Sequence, residues 1–282
     1  MSARFESILS AVAVFGVCAA LAVTMGAARA EDASAWSRDT RSSMRLIAGS
    51  SPPASPHLRA GIEIELAPGW KTYWRYPGDS GVPPRFDFAG SDNVRAAKVL
   101  WPAPRVFNDE GGTVIGYKDK VIFPLEVTPL DPAKPVTLRL KLDYAVCEKL
   151  CVPAEGRVAI AVGRQEKTHD AALTAAKALV PKAVSPQQAG LTARRIDGGP
   201  RPLVDVDIAA AHGKDVDLLV EGPTAEWALP IPKSVQSTPV GHRRFDFELE
   251  GLPLGVDPKG PVELTFTILD AQGAIETTVR LD

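Results

Sequence analysis

The sequence predicts an all-β protein made of two antiparallel β-sandwich domains joined by a helical linker. Three observations carry that expectation. The 282 residues include 25 prolines and 23 glycines, more than a helical bundle tolerates and suited to short strands joined by turns. Apolar and polar residues alternate with period two in several short segments, as a strand with one buried face requires. A single Ala/Leu-rich run, residues 169–179, interrupts this rhythm and divides two sets of strand patterns. The composition, 45% hydrophobic and 23% charged, is that of a globular chain and excludes wholesale disorder, collagen and coiled coil. With 32 basic against 34 acidic residues there is no polybasic footprint for nucleic acid or anionic lipid.

Residues 1–30 read as a signal peptide. Arg4 supplies the positive start, residues 8–25 an apolar stretch, and Ala28-Arg29-Ala30 a small-x-small cleavage site before Glu31. The mature protein is therefore expected to be soluble and periplasmic. Residues 31–56 look irregular, with Ser50-Ser51-Pro52-Pro53 marking a loop. Strand patterns follow at 62–66, 121–127, 136–142 and 157–162, and Pro124 favours an edge or bulge for the second of these. The helix ends at Pro181, and Ser185-Pro186-Gln187-Gln188 reads as a linker. A second set of strands is expected at 203–208, 216–220, 245–249, 262–268 and 275–281. The expected domains are thus a first sandwich over 31–165, helix and linker over 166–186, and a second sandwich over 187–282.

Of three cysteines, Cys18 leaves with the signal, and Cys147 and Cys151 remain as a pair in a compartment where disulfides persist. Four extended residues span about 13 Å, whereas bonded cysteines have Cα atoms roughly 4.4–6.8 Å apart. A bond therefore demands a helical turn or a tight loop after a strand ending near Tyr144. Loop entropy gives so small a ring only about 2 kcal/mol, against about 4.7 for a 100-residue loop. Thiol–disulfide exchange, a structural staple and a metal site all remain open on spacing alone, although two thiolates without nearby histidines fall short of zinc. The four histidines, His57, His169, His212 and His242, are scattered without ligand spacing. Gly78-Asp79-Ser80-Gly81 matches a serine-protease nucleophile segment, but turn chemistry accounts for it better. Trp70, Tyr73, Trp74 and Tyr76 form an aromatic cluster, read as core packing ahead of a ligand platform.

Four segments together carry a family resemblance: Gly69-Trp70-Lys71-Thr72-Tyr73-Trp74-Arg75, Pro77-Gly78-Asp79-Ser80-Gly81, Val99-Leu100-Trp101-Pro102-Ala103-Pro104, and the stretch from Tyr144 through Cys147 and Cys151 to Glu155. In this order they resemble the periplasmic N-terminal domain of the DsbD/ScsB family of protein-disulfide reductases. The resemblance covers residues 44 to about 163 and, more loosely, a second immunoglobulin-like domain of the ScsB-like branch. It implies that both sandwiches are immunoglobulin-like and that Cys147 and Cys151 are a disulfide-forming, redox-active catalytic pair. It further implies a membrane-embedded thiol transporter as electron donor and periplasmic thioredoxin-like proteins as acceptors, with neither cofactor nor metal. Larger members continue into a membrane domain and a thioredoxin domain, so here the donor is expected to be a separate protein. Where the family shields its cysteines with an aromatic on a cap loop, this sequence has Asp109-Glu110-Gly111-Gly112-Thr113. Tyr117 is either a replacement shield or a core residue, and Lys149 is a charge that favours either thiolate. The alternative to a relay is a periplasmic binding or assembly module whose disulfide is inert.

Overall fold

A computed structural model describes residues 32–78, 81–109, 112–165, 168–199, 201–209, 216–235 and 241–282. The expected signal peptide, Cys18 and His212 lie outside these residues. Within them the chain is built from antiparallel ladders, with Lys182–Ala183 the parallel exception beside Gly273–Leu281.

The first sandwich packs two sheets face to face. One runs in the order Ser37–Arg38, Ser42–Ala48, Leu58–Leu66, Lys120–Pro129, Val94–Val99. The other runs Cys151–Val162, Val136–Cys147, Lys71–Gly78, Gly112–Lys118, Arg105–Asp109, with Arg85–Asp87 also paired to Val136–Cys147. Alternate residues point inward, so Met44, Leu46, Ile62, Ile64, Trp74, Phe123, Leu138, Leu140 and Leu142 share one apolar core. Phe86, Trp101 and Tyr117 meet Phe123 edge-on, with ring centroids 5.2–5.6 Å apart. The tyrosine hydroxyl donates to the Pro102 carbonyl at 2.8 Å. Tyr117 is therefore a core residue.

Two strand readings need correction. Residues 31–56 are irregular only in part, because Ser42–Ala48 is a seven-residue strand paired in register with Leu58–Leu66, whereas 50–53 is the loop expected. Pro124 lies in an interior strand rather than at an edge. The neighbouring strand on one side ends at Val99, opposite Leu125, and the Leu100 N–H donates to the Pro124 carbonyl at 2.8 Å. The N–H that proline lacks faces that same side, beyond the end of the ladder, so no ladder bond is lost.

The helix Asp170–Ala178 is more than a connector. It lies on the outer face of the first sheet, where Leu173 fills a depression left by Gly49 and Gly61. A Cβ on Gly61 would meet Leu173 Cδ2 at 2.5 Å. Asp170 accepts from the Ser50 N–H at 2.7 Å, and Lys177 donates to Glu126 at 3.0 Å. Residues 185–188, read as a linker, carry a helical turn, Pro186–Ala189. Ser185 and Gln188 form a reciprocal capping box, and Pro186 takes the position where a missing N–H costs nothing.

The second sandwich sets Lys182–Ala183, Gly273–Leu281, Val262–Asp270 and Asp217–Glu221 against Leu191–Ile196, Leu203–Ala209, His242–Glu248 and Lys233–Ser234. Val204, Val206, Ile208, Phe245, Phe247, Leu264 and Phe266 form its core. Glu31–Asp282 form one compact unit. Leu219 of the second sandwich belongs to the first core, with Ile231 and Leu269 packed beside it. Arg75 reaches from the Lys71–Gly78 strand to Glu221 at 2.7 Å and to Glu276. Burial disfavours its charge, but the hydrogen bonds and charges of those two carboxylates outweigh that and raise its pKa. Among the described residues no helix is long and apolar enough to cross a membrane.

Candidate functional site

The Val136–Cys147 and Cys151–Val162 strands pair over their whole length, from Val136 opposite Val162 to Cys147 opposite Cys151. The two cysteines are the last rung of this hairpin, joined by a disulfide with Cα atoms 4.1 Å apart. The chain bends through Glu148, Lys149 and Leu150, so of the two expected geometries the tight loop is correct. The strand, however, continues beyond Tyr144 to Cys147. All three loop residues are exposed, with Leu150 at 77%. The two sulfurs have unequal surroundings. Cys147 is 9% exposed, whereas Cys151 is an exposed residue at the sheet edge.

The next strand inward is Lys71–Gly78, whose Lys71 lies directly opposite Cys147 and Thr72 opposite Val146. Thr72 donates to the Ala145 carbonyl at 2.9 Å, fixing this register. Alternation then sorts the aromatic motif onto two faces. Trp74 enters the sandwich core, and Tyr73 belongs to a small cluster with Val114, Ala145 and Cys147, with Phe107 packed against it. The Tyr73 hydroxyl is 2.8 Å from Cys151 Sγ. A disulfide sulfur carries no proton, so the tyrosine donates. Burial pushes its phenol above the ordinary value, which keeps that proton in place at neutral pH.

The Gly-Asp-Ser-Gly segment supports this arrangement. Gly78 has φ +91° and lies against the Thr113 backbone, where a side chain would collide. Gly81 lies on the Tyr73 ring, where a Cβ would come 2.5 Å from Cε1. Asp79 and Ser80 between them lie outside the described residues, as do Glu110 and Gly111 of the cap stretch. Lys149, the expected charge, is exposed in the loop. Sequence reasoning did not single out Lys71 or Phe107, and it read Tyr73 only as packing. The available signal was period-two parity, which sets Lys71 and Tyr73 on one face and Thr72 and Trp74 on the other.

Elsewhere the histidines are apart. His57 Nδ1 meets Thr128 Oγ1 at 2.9 Å, and His242 Nδ1 meets Asp207 at 2.8 Å. Among the described residues no three His, Cys, Asp or Glu side chains come together as a metal site.

Residues 48–162 match the family model described as thiol:disulfide interchange protein DsbD, N-terminal. No curated protein matches the chain. Among solved structures, the chain is similar to the N-terminal periplasmic domain of ScsB from Proteus mirabilis, with 20% identity and a TM-score of 0.68. That match covers 89% of this chain and 98% of the other. It is a likeness of fold that spans both halves, and it makes the architecture immunoglobulin-like. Residues 48–162 thus resemble the N-terminal domain of thiol:disulfide interchange protein DsbD, and the fold of both halves resembles that of the ScsB periplasmic domain.

Proposed function

We propose that the protein is an exported, periplasmic thiol–disulfide relay that passes electron pairs through Cys147 and Cys151. The observation that carries this reading is the asymmetry of the pair. One cysteine is an exposed residue at a sheet edge with its sulfur hydrogen-bonded to a phenol, while the other is buried in the neighbouring strand. A partner can reach Cys151 and not Cys147, so Cys151 exchanges and Cys147 resolves.

In the reduced protein the Cys151 thiolate attacks an oxidised partner. An S–S bond forms between the two proteins, and the partner's second sulfur leaves as a thiolate. The Cys147 thiolate then attacks Cys151 Sγ, closing the intramolecular disulfide and releasing the partner with both sulfurs reduced. Reversing these steps recharges the pair from a donor dithiol. The Tyr73 hydroxyl, already aimed at Cys151 Sγ, hydrogen-bonds to the charge on that sulfur when it is a thiolate. The match of residues 48–162 to that family model supports a membrane thiol transporter as donor and periplasmic thioredoxin-like proteins as acceptors.

The test is the reduction potential of the pair, measured by equilibration with a dithiol buffer, together with reduction of an oxidised thioredoxin-like protein. A relay lies above about −300 mV and transfers its electrons. A potential below that, with no transfer, identifies a structural disulfide.

A further inference from the structure

We propose that Lys71 is the fixed cation of the exchange site, stabilising the Cys147 thiolate whenever the S–S bond opens. This rests on the reading of the pair as exchange-active, and it adds a residue to that chemistry. Three observations lead to it. Lys71 and Cys147 are directly opposed in adjacent antiparallel strands, which places their side chains on one face with Cβ atoms roughly 4.5–5.5 Å apart. Lys71 is only 8% exposed, an uncommon state for lysine. Its ammonium lies 5.2 Å from the centroid of Phe107, and Phe107 packs on the cluster that contains Cys147. The ammonium is thus held against Phe107, beside the cluster that contains Cys147, rather than released to solvent.

The chemistry needs a charge there. When a thiolate attacks Cys151, the new S–S bond forms at Cys151 Sγ, the old bond breaks, and its electron pair leaves on Cys147. A thiolate in an apolar cluster is disfavoured by desolvation, and a weakly screened cation beside it offsets that cost. The other groups around the pair are less suited. Lys118 continues the row beyond Lys71, and Arg105 lies on the following strand; both are exposed. Glu148 and Lys149 are exposed in the loop, with the Glu148 carboxylate against Gly69. Tyr73 is neutral and directed at Cys151.

The test titrates the thiolate absorbance of Cys147 in the Cys151→Ser protein, with and without Lys71→Met, Lys71→Arg or Lys149→Met. Alongside it, the pH dependence of disulfide opening by a small dithiol is followed in the two-cysteine protein carrying the same lysine changes. Lys71→Met is expected to move the Cys147 midpoint up by about one pH unit, or tenfold in thiolate population below the midpoint. It should slow opening by a similar factor; Lys71→Arg should restore most of both, and Lys149→Met should change neither. Equal shifts in Lys71→Met and Lys71→Arg, no shift in Lys71→Met, or a dominant effect from Lys149 would overturn the assignment. Should Lys71→Met fail to fold, the parent titration still decides. A Cys147 midpoint well above the free-cysteine value of about 8.5 would show that no cation compensates its burial. Neither readout uses a protein partner, so failure of the relay reading leaves this result interpretable.

Discussion

Replacing the two cysteines singly by serine should produce unequal variants, because the structure gives the sulfurs different surroundings. The ring is five residues long, for which loop entropy gives about 2 kcal/mol. Twelve rungs from Val136–Val162 to Cys147–Cys151 already hold the hairpin together, so the native ladder persists without the bond. Cys151→Ser loses that contribution alone, since Cys151 is exposed. Cys147→Ser additionally places a hydroxyl among Tyr73, Val114 and Ala145, and an unsatisfied buried hydroxyl costs about 1–3 kcal/mol more. For a chain of this size, each kcal/mol shifts Tm by about 2–4 °C. Cys151→Ser should therefore melt about 4–8 °C below the oxidised parent, near the reduced parent, and Cys147→Ser lower still. Only Cys147→Ser retains the accessible sulfur, so it should accumulate a mixed disulfide with an oxidised thioredoxin-like partner, visible on a non-reducing gel. Trapping by Cys151→Ser alone would reverse the assigned roles. Severe unfolding of both variants without an adduct would refute the relay and favour a staple.

Other expectations follow from single contacts. Tyr73→Phe removes the hydroxyl that donates to Cys151 and should slow exchange about fivefold, the worth of roughly 1 kcal/mol, with little change in Tm. Stopped-flow reduction measures it, and an unchanged rate would remove the hydroxyl from the chemistry. Leu173→Ala empties the depression over Gly49 and Gly61 and should cost about 2–5 kcal/mol. Hydrogen exchange should show residues 170–178 losing protection first. Glu63 is buried between Arg45 and Lys120. Burial opposes its charge, but the hydrogen bonds from Lys120 and Arg45 prevail and hold its carboxyl below the ordinary value. A depressed carboxylate stabilises above its unfolded pKa, about 4.3, and loses that contribution as pH falls through the folded value. Glu63→Gln should cost about 2 kcal/mol at pH 7, and denaturant melts should show the gap narrowing below about pH 4. A pH-independent gap would mean that the ion pairs contribute nothing.

Much of the fold was legible where a strand puts apolar residues on one face and polar residues on the other. Val204-Asp205-Val206-Asp207-Ile208 and Phe245-Asp246-Phe247-Glu248-Leu249 alternate cleanly, and both are strands of the second sandwich. Legibility failed where both faces are covered. Lys71, Thr72, Tyr73 and Trp74 are all buried, since one face packs into the core and the other lies in the Phe107 and Cys147 cluster. Ser42–Ala48 was obscured similarly, because Ile47 points away from the core and packs near Gly61 beneath Leu173. Pro124 misled because its effect depends on where the neighbouring strand ends, which is not a local property.

The sequence by itself determined the all-β class, the two sets of strands with a helix between them, and the Cys147/Cys151 pair. Turn residues, alternation and a short cysteine spacing are properties of adjacent residues. The tertiary structure alone decided which cysteine is exposed, that Tyr73 donates to its sulfur, that Lys71 lies opposite the other, and that Arg75 binds carboxylates of the second sandwich. These facts depend on strand order and register, which bring residue 71 beside residue 147 and residue 75 to residue 221. Such pairings are set by the packing of two sheets around a common core, and no local pattern along the chain encodes them.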